Sequence, residues 1–281
     1  MISGNRLGLS ILIALIIISG PIESTKADDN LSFGDVAAIG ASSSVIGLTG
    51  WKLHSRKDFK KSLINGPLPG ELSIMRTIGG SYYPGKTNFL DTHVGSAIAP
   101  VGFAVLLISA DLAWSETDPT KNTVQDFYLY GMGYIVTTGL TSIFKHTFRR
   151  PRPYILMADS IGTEKERSRR YQYASFISGH SSAAFFSAAF LNLKLRTIMR
   201  ARLTTSEYHD WRWAPPTILY GWATLVAWSR VHAYKHYPSD VALGAMVGYL
   251  AAELFYSFSN RSNSYNSTPS GSNMLRIQFS F

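Results

Sequence analysis

The sequence predicts an all-α protein, a bundle of about six helices in one domain. Apolar segments of helical length recur along the chain, and polar turns or prolines separate them. Strand-type alternation of apolar and polar residues is scarce before the last few positions. The 281 residues are enough for one large domain with a substantial buried core.

The N-terminal segment has the three parts of a secretory signal peptide. Arg6 precedes the apolar run Leu7–Ser19, and a polar stretch with small residues follows as far as Ala27. The apolar run is short for a bilayer span, which takes about 20 residues. We therefore expect residues 1–27 to be a signal peptide cleaved after Ala27, with an uncleaved anchor as the alternative. Residues 28–259 are expected to form the folded domain.

The apolar segments give the expected helices. In chain order they are Asp35–Leu53, Gly95–Trp114, Asp126–His146, Ser181–Leu195, Thr217–Tyr234 and Ser239–Phe258. One further short helix is expected in the proline-interrupted stretch His54–Gly85. Between the helices, Tyr154–Phe176 is predicted to be a polar loop and Arg196–Pro216 a basic connector.

The C-terminal residues 260–281 differ from the rest of the chain. Asn260–Asn273 is rich in Ser and Asn, a composition that predicts a flexible tail. From Leu275 to Phe281, apolar and polar residues alternate, which is typical of a short terminal strand. A loose tail without a strand fits this segment equally well.

Charge and composition limit the classes of function. The formal net charge is +9, and much of the excess lies in Lys145–Arg152 and Lys165–Arg170. Such clusters form a solvated or cytoplasm-facing surface, or bind phosphate, an acidic lipid surface or nucleic acid. No stacking aromatic platform or DNA-reading motif accompanies them, so we expect no nucleic-acid partner. Because cysteine is absent, disulfides, thiolate metal sites and cysteine nucleophiles are excluded.

Three short segments combine cations, histidines and a carboxylate. They are Lys145–Pro153 (KHTFRRPRP), Ser178–His180 (SGH) and Ser229–Asp240 (SRVHAYKHYPSD). Each segment lies at the ends of predicted helices. If consecutive helices run antiparallel, all these ends fall at the same end of the bundle, and the charged groups converge.

Such a convergence suits phosphoryl chemistry. Lys145, Arg152 and Arg230 can supply the positive charge that a metal ion would otherwise supply. Ser178 can cap the helix that follows it, and Gly179 lets the backbone approach an anion. A neutral histidine can attack phosphorus while a carboxylate fixes its tautomer, and a second histidine can protonate the leaving oxygen. Taken singly, each residue is explained better as a surface charge, a core histidine or a cap; only their convergence favours a site.

The pattern K-x6-R-P, S-G-H and S-R-x5-H-x3-D resembles the type 2 phosphatidic acid phosphatase (PAP2) superfamily. That superfamily also contains bacterial acid phosphatases, lipid phosphate phosphatases and vanadium haloperoxidases. The resemblance implies that His236 is the nucleophile, Asp240 its orienting partner and His180 the general acid. It implies that the phosphate is bound by Lys145, Arg152, Ser178, Gly179 and Arg230. One departure is Ile177, which stands where the superfamily usually has Pro.

The resemblance implies an exported bacterial phosphatase that uses no metal or other cofactor, with vanadate as an inhibitor. We expect it to hydrolyse phosphate monoesters through a phosphohistidine intermediate. A lipid phosphate or isoprenyl diphosphate is the favoured substrate, and a small soluble ester the other. The alternatives are a vanadate-dependent haloperoxidase, although those enzymes are considerably longer, and a non-catalytic phospholipid-binding protein of the envelope.

We expect the exported chain to lie in the periplasm or at the envelope membrane, with an extracytoplasmic active site. The mean hydropathy of +0.03 leaves association with a membrane open.

Overall fold

The computed structural model describes residues 31–55, 63–78, 98–114, 119–157 and 168–260. Within these ranges the regular elements are helices, and the all-α prediction is confirmed. In chain order the helices are α1 Phe33–Ser55, α2 Glu71–Ile78, α3 Ala99–Trp114, α4 Pro119–Phe148, α5 Tyr154–Met157, α6 Arg169–Gln172, α7 Gly179–Arg202, α8 Thr205–Trp211, α9 Ala214–His232 and α10 Pro238–Asn260.

Six of these helices are long, with between 16 and 30 residues each. They are α1, α3, α4, α7, α9 and α10, and they correspond to the six predicted apolar segments. The predicted signal peptide 1–27 lies outside the described residues. So does the predicted tail, except for its first residue, Asn260, which ends α10.

The prediction for Arg196–Pro216 is wrong, because most of this basic segment is helical. The helix α7 continues to Arg202, and α8 follows after two residues. A capping box begins α8: the Thr204 hydroxyl accepts from the Glu207 N–H at 3.4 Å, and the Glu207 carboxylate accepts from the Thr204 N–H at 2.9 Å. The basic composition of the segment favoured a connector, although the Thr204 and Glu207 pair is a capping box that indicates the start of a helix.

The helix α7 lies at the centre of the bundle. It packs against α4, α9 and α10, while α1 packs against α4. Aromatic rings fill the contact between α4, α7 and α10. The Phe190 ring meets the rings of Tyr130 and Tyr256 edge-to-face, with centroids 5.4 Å apart in both pairs. Such pairs add about 0.5–1.5 kcal/mol to the burial of the rings.

Two glycines let α10 lie directly on the start of α7. A Cβ atom at Gly248 would be 2.1 Å from the Ser182 carbonyl oxygen, and one at Gly244 would be 2.6 Å from the Ser178 carbonyl oxygen. No side chain fits at such distances, so the backbones can approach this closely only through glycine. The close approach brings Ser178 next to the first turn of α10, where its N–H donates to the Asp240 carbonyl oxygen at 3.0 Å.

A buried ion pair joins α4, α7 and α10 at the end of the bundle opposite to the start of α7. The Lys194 ammonium of α7 lies 2.6 Å from the Asp126 carboxylate near the start of α4. The Ser259 hydroxyl, near the end of α10, donates to the same carboxylate at 3.0 Å. Asp126 lies about 33 Å along α4 from that helix's end, at 1.5 Å per residue. This ion pair and the three predicted motif segments therefore lie at different ends of the bundle.

Candidate active site

The structure brings the three motif segments together at one end of the bundle. Lys145 is in the last turn of α4, Arg230 in the last turn of α9 and Asp240 in the first turn of α10. Backbone hydrogen bonds link the segments, from Tyr154 N–H to Tyr234 carbonyl oxygen at 3.0 Å and from Ser178 N–H to Asp240 carbonyl oxygen at 3.0 Å. The antiparallel arrangement expected from the sequence therefore holds for these helices.

His236 is buried within this cluster, with 1% of its surface exposed. Its Nδ1 lies 2.7 Å from the Ser175 carbonyl oxygen. A carbonyl oxygen has no proton, so Nδ1 carries the hydrogen and donates it, and Nε2 keeps its lone pair. This is the tautomer in which Nε2 can act as a nucleophile.

The environment keeps the His236 imidazole neutral. Burial holds its pKa well below the usual value, and nearby positive groups lower it further. These groups are Arg152, Lys145, Arg230 and His180. The four predicted cationic or titratable residues therefore surround His236. A neutral imidazole at physiological pH is the form that can attack an electrophile.

Asp240 is fully buried, and three donors satisfy its carboxylate. It accepts from the Ser175 hydroxyl at 2.5 Å, the Tyr237 N–H at 3.0 Å and the Arg150 guanidinium at 2.7 Å. The carboxylate lies 3.8 Å from His236 Nδ1, which is too long for a direct hydrogen bond. Its hydrogen-bonded path to the imidazole runs through Ser175. The role of Asp240 as orienting partner stays a prediction, to which the structure adds Ser175 as the direct acceptor.

Arg152 is held rigidly by neutral groups. Its guanidinium donates to the carbonyl oxygens of Tyr171, Lys235 and Ala174 at 2.8, 3.0 and 3.2 Å. It also lies over the Tyr171 ring, 4.0 Å from the centroid. These carbonyl groups orient the guanidinium without neutralising its charge, so that charge remains available to an anion.

Lys145 lies beside the start of α7. A Cβ atom at Gly179 would be 3.2 Å from the Lys145 ammonium, so glycine at this position leaves room for the lysine head group. Burial lowers the pKa of Lys145 to about 7, with a further lowering from Arg152 and an opposing effect of Asp240. The ammonium is thus partly deprotonated near neutral pH unless an anion binds beside it.

Three further predicted residues, Ser178, His180 and Arg230, lie at the start of α7 and the end of α9. Ser178 is the N-cap of α7, as predicted, and its hydroxyl accepts from the Ser181 N–H at 3.3 Å. His180 is half-buried in the first turn of α7. The Arg230 carbonyl oxygen accepts from the His236 N–H at 3.2 Å, which fixes the turn that carries the imidazole. The roles of these residues in phosphate binding and acid catalysis stay predictions.

Sequence reasoning missed three residues at this end of the bundle. The Ser175 carbonyl oxygen accepts a hydrogen bond from the imidazole, Arg150 contacts the Asp240 carboxylate, and Glu71 contacts Arg150. Arg150 lies within the motif segment Lys145–Pro153, so its position marks it as a possible site residue. Ser175 acts on His236 through its backbone carbonyl, and Glu71 lies far upstream in a segment without a motif, so no local pattern marks either of them.

Comparison with known proteins agrees with the geometry. Residues 127–264 match the PAP2 superfamily. This part of the chain is a PAP2 superfamily domain, so the family inferred from the three motifs is confirmed.

Similar curated proteins include phospholipid phosphatase 2 of Homo sapiens, which is 29% identical over 61% of this chain and 67% of its own length. A putative phosphatidate phosphatase of Drosophila melanogaster is 29% identical over 44% of this chain, and the match spans 38% of that protein. A probable diacylglycerol pyrophosphate phosphatase of Schizosaccharomyces pombe is 29% identical over 48% of this chain and 55% of its own length. The chain thus spans about two thirds of the first relative and less of the other two.

Two solved structures are similar at low identity. The Aquifex aeolicus LpxE structure has a TM-score of 0.46 and 19% identity, covering 69% of this chain and 99% of that one. A transmembrane PAP2-type phosphatidylglycerolphosphate phosphatase from Bacillus subtilis has a TM-score of 0.43 and 18% identity, covering 90% and 96% of the two chains.

The pKa of Lys145 predicts how anion binding depends on pH. Because the cation is present below about pH 7 and is lost above it, KM for a phosphate ester should rise as the pH increases from 6 to 8.5. Titration of the ester itself also changes KM. The ratio of the wild-type KM to the Lys145→Arg KM removes that effect, because arginine stays charged. We expect this ratio to rise about tenfold over the range; a ratio independent of pH would contradict the assignment.

Proposed function

We propose that the chain is a metal-independent phosphatase that hydrolyses phosphate monoesters of lipids through a phosphohistidine intermediate on His236. The observation that carries this proposal is the state of His236. It is a buried, neutral imidazole whose Nδ1 donates to a carbonyl and whose Nε2 keeps its lone pair, within a ring of positive groups. This arrangement suits attack on an anionic phosphoryl group, whose charge the surrounding cations stabilise.

The proposed reaction has two steps. In the first, Lys145, Arg152 and Arg230 bind the phosphoryl oxygens, and His236 Nε2 forms a bond to phosphorus. The bond to the leaving oxygen breaks, and His180 protonates that oxygen to release an alcohol. In the second step, His180 takes a proton from water, which attacks the phosphohistidine and releases inorganic phosphate. The histidine returns to its starting state, so protons and charge balance over the cycle.

Two observations favour a lipid substrate. The similar curated proteins are named as phospholipid or phosphatidate phosphatases. Large apolar side chains are exposed on the outside of the helices, with exposed fractions of 69% for Trp51, 63% for Phe103 and 69% for Ile218. Exposed apolar surface of this kind marks contact with a membrane or another protein. We therefore place lipid phosphates and isoprenyl diphosphates ahead of small soluble esters.

One helix among the described residues, Pro238–Ser259, has the length and apolar composition of a membrane span, with a mean hydropathy of 1.5. Together with the exposed apolar side chains, it supports association of the domain with a bilayer. The active site lies at the start of this helix, because Asp240 is in its first turn. A lipid phosphate held at the bilayer surface would therefore reach the cation cluster without leaving the membrane.

We propose that the site is extracytoplasmic. The helix α7 has 24 residues and is about 36 Å long, so α8 and its basic neighbours lie that far from the site. If the long helices cross the bilayer, the positive-inside rule assigns Arg200, Arg202 and Arg212 to the cytoplasm and the site to the outer face. The exposed Trp211 and Trp213 beside them suit an interface. If the exported chain is held at the membrane surface, the site is again outside.

The mechanism predicts which changes abolish turnover. Replacing His236 with Ala should reduce hydrolysis of phosphatidate and of a soluble aryl phosphate to background, without loss of the folded state, because the nucleophile is removed. Activity should survive excess EDTA, since the cations take the place of a metal, and vanadate should inhibit. Steady-state assays measure the effects of the substitution, of EDTA and of vanadate, and thermal unfolding checks that the variant is folded. Near-normal turnover by the His236→Ala variant, or loss of activity in EDTA that a divalent ion restores, would contradict the proposal.

The location of the site can be tested with two matched cysteines, because the chain has none of its own. Ser168 precedes α6 on the site side, Ser206 lies in α8, and both are exposed. In spheroplasts, a membrane-impermeant thiol reagent should label Ser168→Cys without lysis. Ser206→Cys reports whether the domain crosses the bilayer. If the domain crosses it, this cysteine should react with the reagent only after lysis. Labelling of Ser168→Cys only after lysis would refute an extracytoplasmic site.

A further inference from the structure

A buried carboxylate upstream of the PAP2 domain contacts the active-site end of the bundle. Glu71, the first residue of α2, is 5% exposed and lies outside the matched residues 127–264. One carboxylate oxygen accepts from the Ser239 N–H at 3.1 Å and from the Ser239 hydroxyl at 2.5 Å. The other accepts from the Leu68 N–H at 2.5 Å and from the Arg150 guanidinium. Glu71 therefore caps the helix that carries Asp240, 168 residues away from Ser239 in sequence.

Arg150 connects Glu71 to Asp240. Its guanidinium is 1% exposed, with one terminal nitrogen on Glu71 and the other 2.7 Å from Asp240 and 2.8 Å from the Ser239 hydroxyl. The same group lies 4.0 Å above the Tyr237 ring. A guanidinium is planar and rigid, so the position of one carboxylate fixes the position of the other through it.

The connection continues from Asp240 to the nucleophile. Asp240 accepts from the Ser175 hydroxyl at 2.5 Å, and the Ser175 carbonyl accepts from His236 Nδ1 at 2.7 Å. Glu71, Arg150, Asp240, Ser175 and His236 thus form one continuous series of contacts, and none of the residues in it is more than 5% exposed. Within a buried environment each hydrogen bond in such a series constrains the next, because no water competes for the donors.

We propose that Glu71 and Arg150 are positioning residues for His236, and that the segment before the PAP2 domain completes its active site through Glu71. This inference rests on the phosphohistidine mechanism proposed above. The donors to Glu71 belong to Leu68, Arg150 and Ser239, none of which is a predicted phosphate ligand. Loss of Glu71 should therefore misplace the nucleophile while leaving phosphate binding intact.

The main test is Glu71→Gln, which keeps the shape of the side chain but replaces one acceptor oxygen with a donor. We expect kcat to fall about 10- to 100-fold, the range for outer residues that orient a reacting group. KM and the inhibition constant for inorganic phosphate should stay within about twofold, since ground-state binding is unchanged. The matched control is Asp126→Asn, which removes a buried carboxylate in an ion pair at the other end of the bundle. It should destabilise the protein but leave kcat of the folded fraction unchanged.

Ser239→Ala is the second variant, because it deletes one hydroxyl between Glu71 and Arg150 and leaves both charges in place. It should fold and lower kcat at least threefold, again at constant KM. The 15N shifts of the His236 ring provide a readout independent of turnover. Protonation of Nδ1 should dominate in the wild type, and Ser239→Ala, or Glu71→Gln where it folds, should shift the tautomer equilibrium.

Wild-type protein and His236→Ala are assayed in parallel to separate the two proposals. Suppose that the wild type is active and His236→Ala is inactive. If Glu71→Gln and Ser239→Ala then both keep the wild-type kcat, the positioning role is overturned and the proposed function is not. The positioning role would also be overturned if KM and the inhibition constant for inorganic phosphate rose by the same factor as kcat fell. A wild type that hydrolyses no phosphate ester would refute the proposed function instead; the positioning role is then decided by the 15N shifts, and unchanged shifts in the variants overturn it.

Discussion

The Asp240 carboxylate is the group on which the architecture of the site depends. Burying a carboxylate costs several kcal/mol unless hydrogen bonds and opposite charge compensate for it. Here the compensation comes from the three stretches that precede or follow the long helices: the Arg150 guanidinium after α4, the Ser175 hydroxyl before α7 and the Tyr237 N–H before α10. The Asp240 carbonyl also accepts from the N–H of Ser178. If any segment moved away, the carboxylate would lose a donor, so burial of this charge keeps the segments together.

The electrostatics of the site follow from the same arrangement. Burial lowers the pKa of His236, and the positive groups gathered around the imidazole lower it further and keep it neutral. Burial lowers the pKa of Lys145, and the positive charge of Arg152 lowers it further, because like charges close together and out of water are unfavourable. In the proposed reaction, an anionic phosphoryl group supplies the missing negative charge. The protein therefore holds its positive groups in position before the substrate binds, which is the condition for strong stabilisation of charge in the transition state.

Helix periodicity and motif spacing are sufficient to predict the six long helices and the convergence of residues such as Lys145 and His236, because both depend on local sequence and chain direction. The contacts that orient the imidazole could not be predicted in this way. Ser175 contributes a backbone carbonyl, which every residue possesses, and Glu71 reaches the site through tertiary packing of a distant short helix. The basic composition of Arg196–Pro216 favours a connector, but charge on an exposed helix surface is also compatible with helix formation, and most of this segment is helical. The sequence thus predicts the candidate site residues, and the structure shows the contacts that hold them.

The most direct test of the account is to trap the covalent intermediate. The purified protein would be mixed with a 32P-labelled phosphate ester, quenched in alkali within milliseconds, digested and mapped. The account predicts a stoichiometric label on the peptide that contains His236, stable in alkali, labile in acid and absent from the His236→Ala variant. A label on a different residue, or turnover with no trapped phosphoenzyme under single-turnover conditions, would contradict it.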